Sequence, residues 1–480
     1  MTAYRLETRH PGVFDVTLFE ASPRLGGKVL TPRFGVADVP YEAGAAELYD
    51  YSHLGPDPLR ELVAELGLPT HAVFGEGVIL ANRLVADLSE FREAFGEQAA
   101  SALADFENAA KVEISPPAYY ESDWRSDNAD PMAAKTFAAV LEGIGNDHVR
   151  RYIEIAIHSD LATEPDLTSG TYGLQNCLMN HREYMRLYGI DGGMERLPNE
   201  LARRLKSTVI RLNQPVVGVE KVDHDAYQVR SRRGNDVFEE TVDFVVVALP
   251  NTWIPFVEWH DDHLARAMRQ HVNHYRHHAH YLRVSLLYDR PFWRERIGDP
   301  YFMIDAFGGC CVYDESLRNG DGTHGVLGLL IAGEPALTLA NLDDARLIDR
   351  ARRALPPMLG EPSAQFLEGR VHRWLGAVNA LPGGRPLHDP DARHIPDPEQ
   401  NPWLFVVGDY LFDTTLNGVL DSADTVVEML IEEEAEARTE DERTLSSDPS
   451  GEPTAPAPPA VQPARSLPAN IEGPQETNVS

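Results

Sequence analysis

The stretch Val13–Lys28 limits what this chain can fold into more than any other. Val16 and Leu18, flanked by Phe14 and Phe19, make a short apolar run of strand type. The run stops at an acid, Glu20, and passes into a turn that holds Gly26 and Gly27. In a dinucleotide-binding βαβ unit, an acid ends the second strand about 20 residues after a glycine loop and accepts hydrogen bonds from a ribose. Glu20 fits that position. Many strands end in glutamate for no such reason, so the acid must be read together with what surrounds it.

The surrounding string is Glu20, Ala21, Ser22, Pro23, Arg24, Leu25, Gly26, Gly27, Lys28, followed by Tyr41, Glu42, Ala43, Gly44. It closely resembles the second-strand region of the flavin-containing amine oxidase superfamily, which includes monoamine oxidases, phytoene desaturases and protoporphyrinogen oxidases. The resemblance implies FAD as cofactor. It also implies that Glu20 holds the ribose, that Arg24 lies by the dinucleotide, and that Gly26, Gly27, Lys28 and Gly44 let the backbone pass close to the flavin.

Composition narrows the alternatives. A formal net charge of -32 argues against nucleic acid, which needs a basic face, and against anionic membrane surfaces. The three cysteines, Cys177, Cys310 and Cys311, form no disulfide framework and have no metal-ligand spacing. No apolar run is long enough to span a bilayer, and the N-terminus has no secretory pattern. These features together predict a cytoplasmic protein, and the resemblance implies a small-molecule substrate.

Thr2–Arg9 reads as an amphipathic helix with Ala3, Tyr4 and Leu6 on its apolar side, closed by His10, Pro11 and Gly12. A helix followed by the strand at Val13 is the second half of a βα unit. The family opens with a strand and Gly-x-Gly-x-x-Gly before such a helix, and that loop occurs nowhere in this sequence. Its backbone N–H groups and helix dipole hold the pyrophosphate. The expectation is therefore either a start assigned at an internal methionine or a polypeptide that binds flavin poorly, and the first is favoured.

Asp57–Leu68 carries Leu59, Leu62, Val63 and Leu66 at helical spacing, with Gly67 as a stop. Helices are predicted over Phe91–Val112 and Thr136–Ile157. A glycine turn at Gly192–Gly193 opens another helix, and short strands follow at Val209–Leu212, Gln214–Val217 and Tyr227–Arg230. The run Phe244–Pro250 reads as a fully buried strand. In the resembling family, the backbone at the Val216 position contacts adenine.

Leu282–Asp289 alternates as a strand and closes in Pro291, Phe292, Trp293, another match to the amine oxidases. Counting back, Arg283 takes the place of their flavin-facing lysine, which makes it the candidate catalytic residue. Arginine keeps the charge but has a different donor geometry, so the swap is not conservative.

Leu404–Val407 then delivers Gly408 and Asp409, and Asn417, Gly418, Val419 and Leu420 open a helix to Ile431. The resemblance places Gly408, Asp409, Gly418, Val419 and Leu420 at the flavin. Val419 stands where many monoamine oxidases have a cage tyrosine, and Trp374–Pro386 offers no aromatic residue beyond Trp374. His271, His274, His277, His278 and His280 fit no zinc pattern, and no metal is predicted.

The fold class expected is α/β: an N-terminally truncated, Rossmann-like FAD-binding domain with a second, α+β substrate domain. The first would comprise residues 1–72, 190–252 and 375–431, the second residues 73–189 and 253–374. Residues 432–480, acidic and then proline-rich, would be a disordered tail. The function implied is removal of a hydride from a C–H bond of a small organic substrate. The alternatives are a desaturase of apolar substrates, which Arg283 and Val419 leave open, and a non-catalytic relative if Met1 is the true start.

Overall fold

The computed structural model describes residues 1–75, 77–121, 131–223, 226–318, 323–360, 364–382, 393–412 and 414–446. Met1–Met429 forms one compact unit, and Leu430–Ser480 is a second.

The opening helix is Thr2–Arg9, and it buries Ala3, Tyr4 and Leu6 as its periodicity requires. The strand that follows is short, Thr17–Phe19, and pairs in parallel with Val209–Arg211. A second parallel ribbon joins Val245–Val247 to Leu404–Val406. Among the described strands, each of these four has a single partner. That corrects the reading of Phe244–Pro250 as fully buried: only Val247 is buried, and Val245 and Val246 are half-buried. A strand paired on one edge is not enclosed as a central parallel strand is.

The helix Pro58–Glu65 shows how local sequence sets an element. Asp57 caps it, its Oδ1 accepting from Arg60 N–H at 2.9 Å, while Oδ2 accepts from Tyr51 N–H at 2.7 Å. Leu59, Leu62 and Val63 face a core completed by Leu48, Tyr188, Ile190, Met194 and Leu420. Asp57→Ala removes the cap and strands a second donor. It is expected to lower unfolding free energy by about 1–2 kcal/mol. An unchanged urea midpoint would show that Asp57 is dispensable.

Each predicted long helix is two helices. Leu88–Phe95 and Glu97–Glu113 meet at Gly96, whose φ of 89° is left-handed. Phe137–Glu142 and Asp147–Leu161 are separated by a turn, and Asn146 caps the second. Apolar spacing is in phase on both sides of each break, so periodicity alone does not show it.

The largest sheet has seven strands, in the order Phe366–Asn379, His278–Tyr288, Gly325–Ala332, Cys310–Asp314, Tyr301–Ile304, Val78–Leu80, Arg83–Val85. Leu282, Val284 and Leu286 put their side chains in its main core, with Trp293, Phe302 and Leu329. Arg283 alternates to the other face. The final helix runs Leu416–Ser446, beyond the expected end at Ile431. Glutamate and alanine are strong helix formers, so low apolar content there does not end the helix. Residues 447–480 of the expected tail lie outside the described residues.

Candidate cofactor and substrate site

The strand Thr17–Phe19 ends at Glu20, whose Oε1 accepts the Ser22 N–H at 2.8 Å. The Glu20 carbonyl accepts from Gln214 N–H at 3.0 Å, which sets Val216, two residues on, beside the same strand end. Arg24 folds back on its own turn, donating to the carbonyls of Leu25 at 3.0 Å, Val29 at 3.1 Å and Gly27 at 2.6 Å. Its guanidinium thus fixes the loop in which Gly26 and Gly27 have φ of 101° and 52°.

This loop delivers Lys28 to a close crossing with Gly44. Ala45 N–H donates to the Lys28 carbonyl at 3.2 Å, and Ala43 N–H to that of Leu30 at 2.9 Å. A Cβ on Gly44 would lie 1.8 Å from the Lys28 carbonyl oxygen, so no other residue fits. Lys28 Nζ donates to the Ala377 carbonyl at 2.7 Å and forms an ion pair with Asp409. The indole N–H of Trp374 donates to the Ala43 carbonyl.

Asp409 follows the strand Leu404–Val406, and Gly408 N–H donates to Ser422 Oγ at 2.9 Å, tying that strand end to the last helix. Thr415 Oγ1 accepts from Gly418 N–H at 3.2 Å at the helix start. Val419 is half-buried there, whereas Leu420 packs into the core with Tyr4 and Leu59. Asn417 Oδ1 is shut off from solvent with no hydrogen-bond partner among the described residues.

These features fit a flavin dinucleotide. They supply a carboxylate at a strand end, backbone shaped for close approach, a helix N-terminus with its positive dipole end, and an orphaned buried acceptor beside it. The model of the flavin-containing amine oxidoreductase family matches residues 1–431. The chain belongs to that family. FAD is its cofactor, and the protein is an FAD-dependent oxidoreductase with a Rossmann-like FAD-binding fold.

Cyclohexylamine oxidase from Brevibacterium oxydans IH-35A is 18% identical with a TM-score of 0.66, the match covering 89% of this chain and 96% of that one. Wild-type putrescine oxidase bound to putrescine is 18% identical with a TM-score of 0.64, covering 90% and 96%. No curated protein matches the sequence. No helix among the described residues is long and apolar enough to cross a membrane.

Arg283 is 1% exposed. Its Nη2 donates to Glu315 Oε1 at 2.6 Å and its Nε to the Glu42 carbonyl at 3.2 Å, with the guanidinium 4.4 Å above the Tyr313 ring. Burial works against the charge, but Glu315 holds the guanidinium protonated. Glu315 Oε2 accepts from Glu42 N–H at 2.8 Å, and Glu42 pairs with Arg318 at 2.8 Å. Glu42 also accepts from Met194 N–H at 2.9 Å and Thr31 Oγ1 at 2.8 Å, yet burial pushes its carboxyl up to about 6.

Of the residues singled out in the sequence, Lys28, Gly44 and Asp409 meet at one crossing, with Trp374 beside it. Arg283 belongs to a buried ion network instead. Glu315 and Arg318 were not legible as members of that network, and the one available signal was a charge at position 283 in an apolar strand, which demands a buried partner. The histidines disperse: His271 Nε2 bonds Tyr410 OH at 2.8 Å, and His280 Nδ1 accepts from Gly376 N–H at 3.0 Å. Among the described residues no group of three or more His, Cys, Asp or Glu could hold a metal ion.

Proposed function

We propose that this enzyme oxidises a small amine at the carbon next to nitrogen. The observation that carries the reading is the convergence of Gly44, Lys28, Trp374 and Asp409 at one crossing of backbone. Bound FAD supplies the hydride acceptor, and the protein supplies binding, orientation and dryness. Glu20 would hold the ribose, the Gly26–Lys28 and Gly44 backbone would lie along the cofactor, and the helix start at Asn417–Val419 would face negative charge. Trp374, opposite Tyr281 in the sheet, forms an aromatic wall that keeps water from the reacting carbon. Arg283 acts as a positioning residue, through Glu315 and the Tyr313 ring. Structural neighbours named as oxidases of cyclohexylamine and putrescine support an amine, alongside an equally similar one titled a putative protoporphyrinogen oxidase.

The test is anaerobic bleaching of the visible flavin band of FAD-loaded protein. Cyclohexylamine or putrescine is expected to bleach it in one phase that saturates with amine. A flavin band that dithionite bleaches and no amine does would remove the amine reading.

A further inference from the structure

Two members of the histidine run that fits no zinc pattern bear on the two partners of Lys28. Those partners are the Ala377 carbonyl and the Asp409 carboxylate.

A break in the sheet presents Ala377 to Lys28. Ala279 stands opposite Val378 and His280 opposite Leu375, so Gly376 and Ala377 face no residue of the neighbouring strand. Such a bulge bends a strand and re-aims its groups. Three side chains hold this one. The Gly376 N–H donates to His280 Nδ1 at 3.0 Å, the Thr252 hydroxyl to the Gly376 carbonyl at 3.3 Å, and Lys28 Nζ to the Ala377 carbonyl at 2.7 Å. At the other partner, His271 Nε2 bonds the Tyr410 hydroxyl at 2.8 Å, and the Tyr410 N–H donates to Asp409 Oδ1 at 3.0 Å.

We propose that His280 is a positioning residue: by accepting the Gly376 N–H it holds the bulge that aims the Ala377 carbonyl at Lys28, and through Lys28 it sets the crossing at Gly44. This rests on the reading that the flavin lies along that crossing. The contact has one chemical requirement. A backbone N–H can only donate, so Nδ1 must keep its lone pair, and the ring must be neutral with its proton on Nε2. A doubly protonated ring would set one N–H against another and release the bulge.

The surroundings keep the ring neutral. Burial first, and then the charge of His278, push the His280 pKa below the ordinary histidine value. Among the described residues no other charged group acts on it. The strand opposite presents Leu375 and the Gly376 amide, and the His280 N–H meets the Ala162 carbonyl at 3.4 Å. As pH falls through the lowered pKa the ring gains a proton, so the contact is present above that pKa and lost below it.

Two substitutions separate the acceptor from the bulk of the ring. Asparagine places Oδ1 where Nδ1 stands and takes no proton, whereas leucine fills the space without an acceptor. Titration of each apoprotein with FAD, followed by quenching of flavin fluorescence, reads the consequence. At about pH 8, His280→Leu is expected to bind about tenfold or more weakly, and His280→Asn to stay within about threefold of the wild type. On acidification the wild type should weaken relative to His280→Asn. His278 and Glu42 are present in both proteins, so the ratio of the two affinities isolates His280.

Hydrogen exchange of the Gly376 amide in the apoprotein reads the bulge without the flavin. It should be about tenfold or more faster in His280→Leu and like the wild type in His280→Asn. Unchanged exchange or unchanged FAD affinity in His280→Leu, or His280→Asn no better than His280→Leu, overturns the proposal. The reading beneath it fails separately. If Gly44→Ala loses FAD and His280→Leu does not, the flavin lies along the crossing and His280 does not set it. If neither variant loses FAD, the crossing is not the place of the cofactor.

Discussion

Arg283→Met is expected to lower the unfolding free energy by about 3–5 kcal/mol, because it leaves a buried carboxylate with no counter-charge. Glu315 is fully buried, and the guanidinium is its only ion-pair partner among the described residues. The Glu42 carbonyl loses its Nε donor at the same time. Methionine fills most of the volume, so the loss reports charge rather than a cavity. Adding Glu315→Gln should recover much of it, since an amide is far cheaper to bury than an unpaired carboxylate. Arg283→Lys should fall between, keeping the charge but not the two-pronged contact with Glu315 and Glu42. Urea unfolding at matched FAD loading reads all of these. A wild-type midpoint for Arg283→Met would mean that the buried pair contributes nothing to stability.

That network also marks the limit of what the sequence disclosed. Local physics was legible: the helix Thr2–Arg9, the apolar spacing of Leu59, Leu62 and Val63 and the strand that ends at Glu20 each follow from neighbours within a few residues. Glu315 is 32 positions from Arg283 and meets it only because Cys310–Asp314 and His278–Tyr288 flank the same strand, Gly325–Ala332. The family motif likewise placed a charge at position 283 but not its partner, and it is the partner that sets what the charge can do.

Gly44→Ala is expected to abolish tight flavin binding, whereas Gly27→Ala in the same cradle retains it. A methyl on Gly44 would sit 1.8 Å from the Lys28 carbonyl oxygen and 2.9 Å from its carbon. Both atoms are backbone, so no rotamer change relieves the contact. The two segments must separate, breaking the Ala45–Lys28 hydrogen bond and displacing Lys28 from Ala377 and Asp409. The cost of forcing a methyl into such a contact is about 1–3 kcal/mol in stability, and the geometry lost is the one proposed to lie along the cofactor. At Gly27 nothing lies within 4 Å of the added methyl, and the φ of 52° carries only the left-handed penalty of about 1–2 kcal/mol. Titration of each apoprotein with FAD, followed by quenching of flavin fluorescence, separates them. Equal affinity for the two variants would place the flavin away from the Lys28–Gly44 crossing.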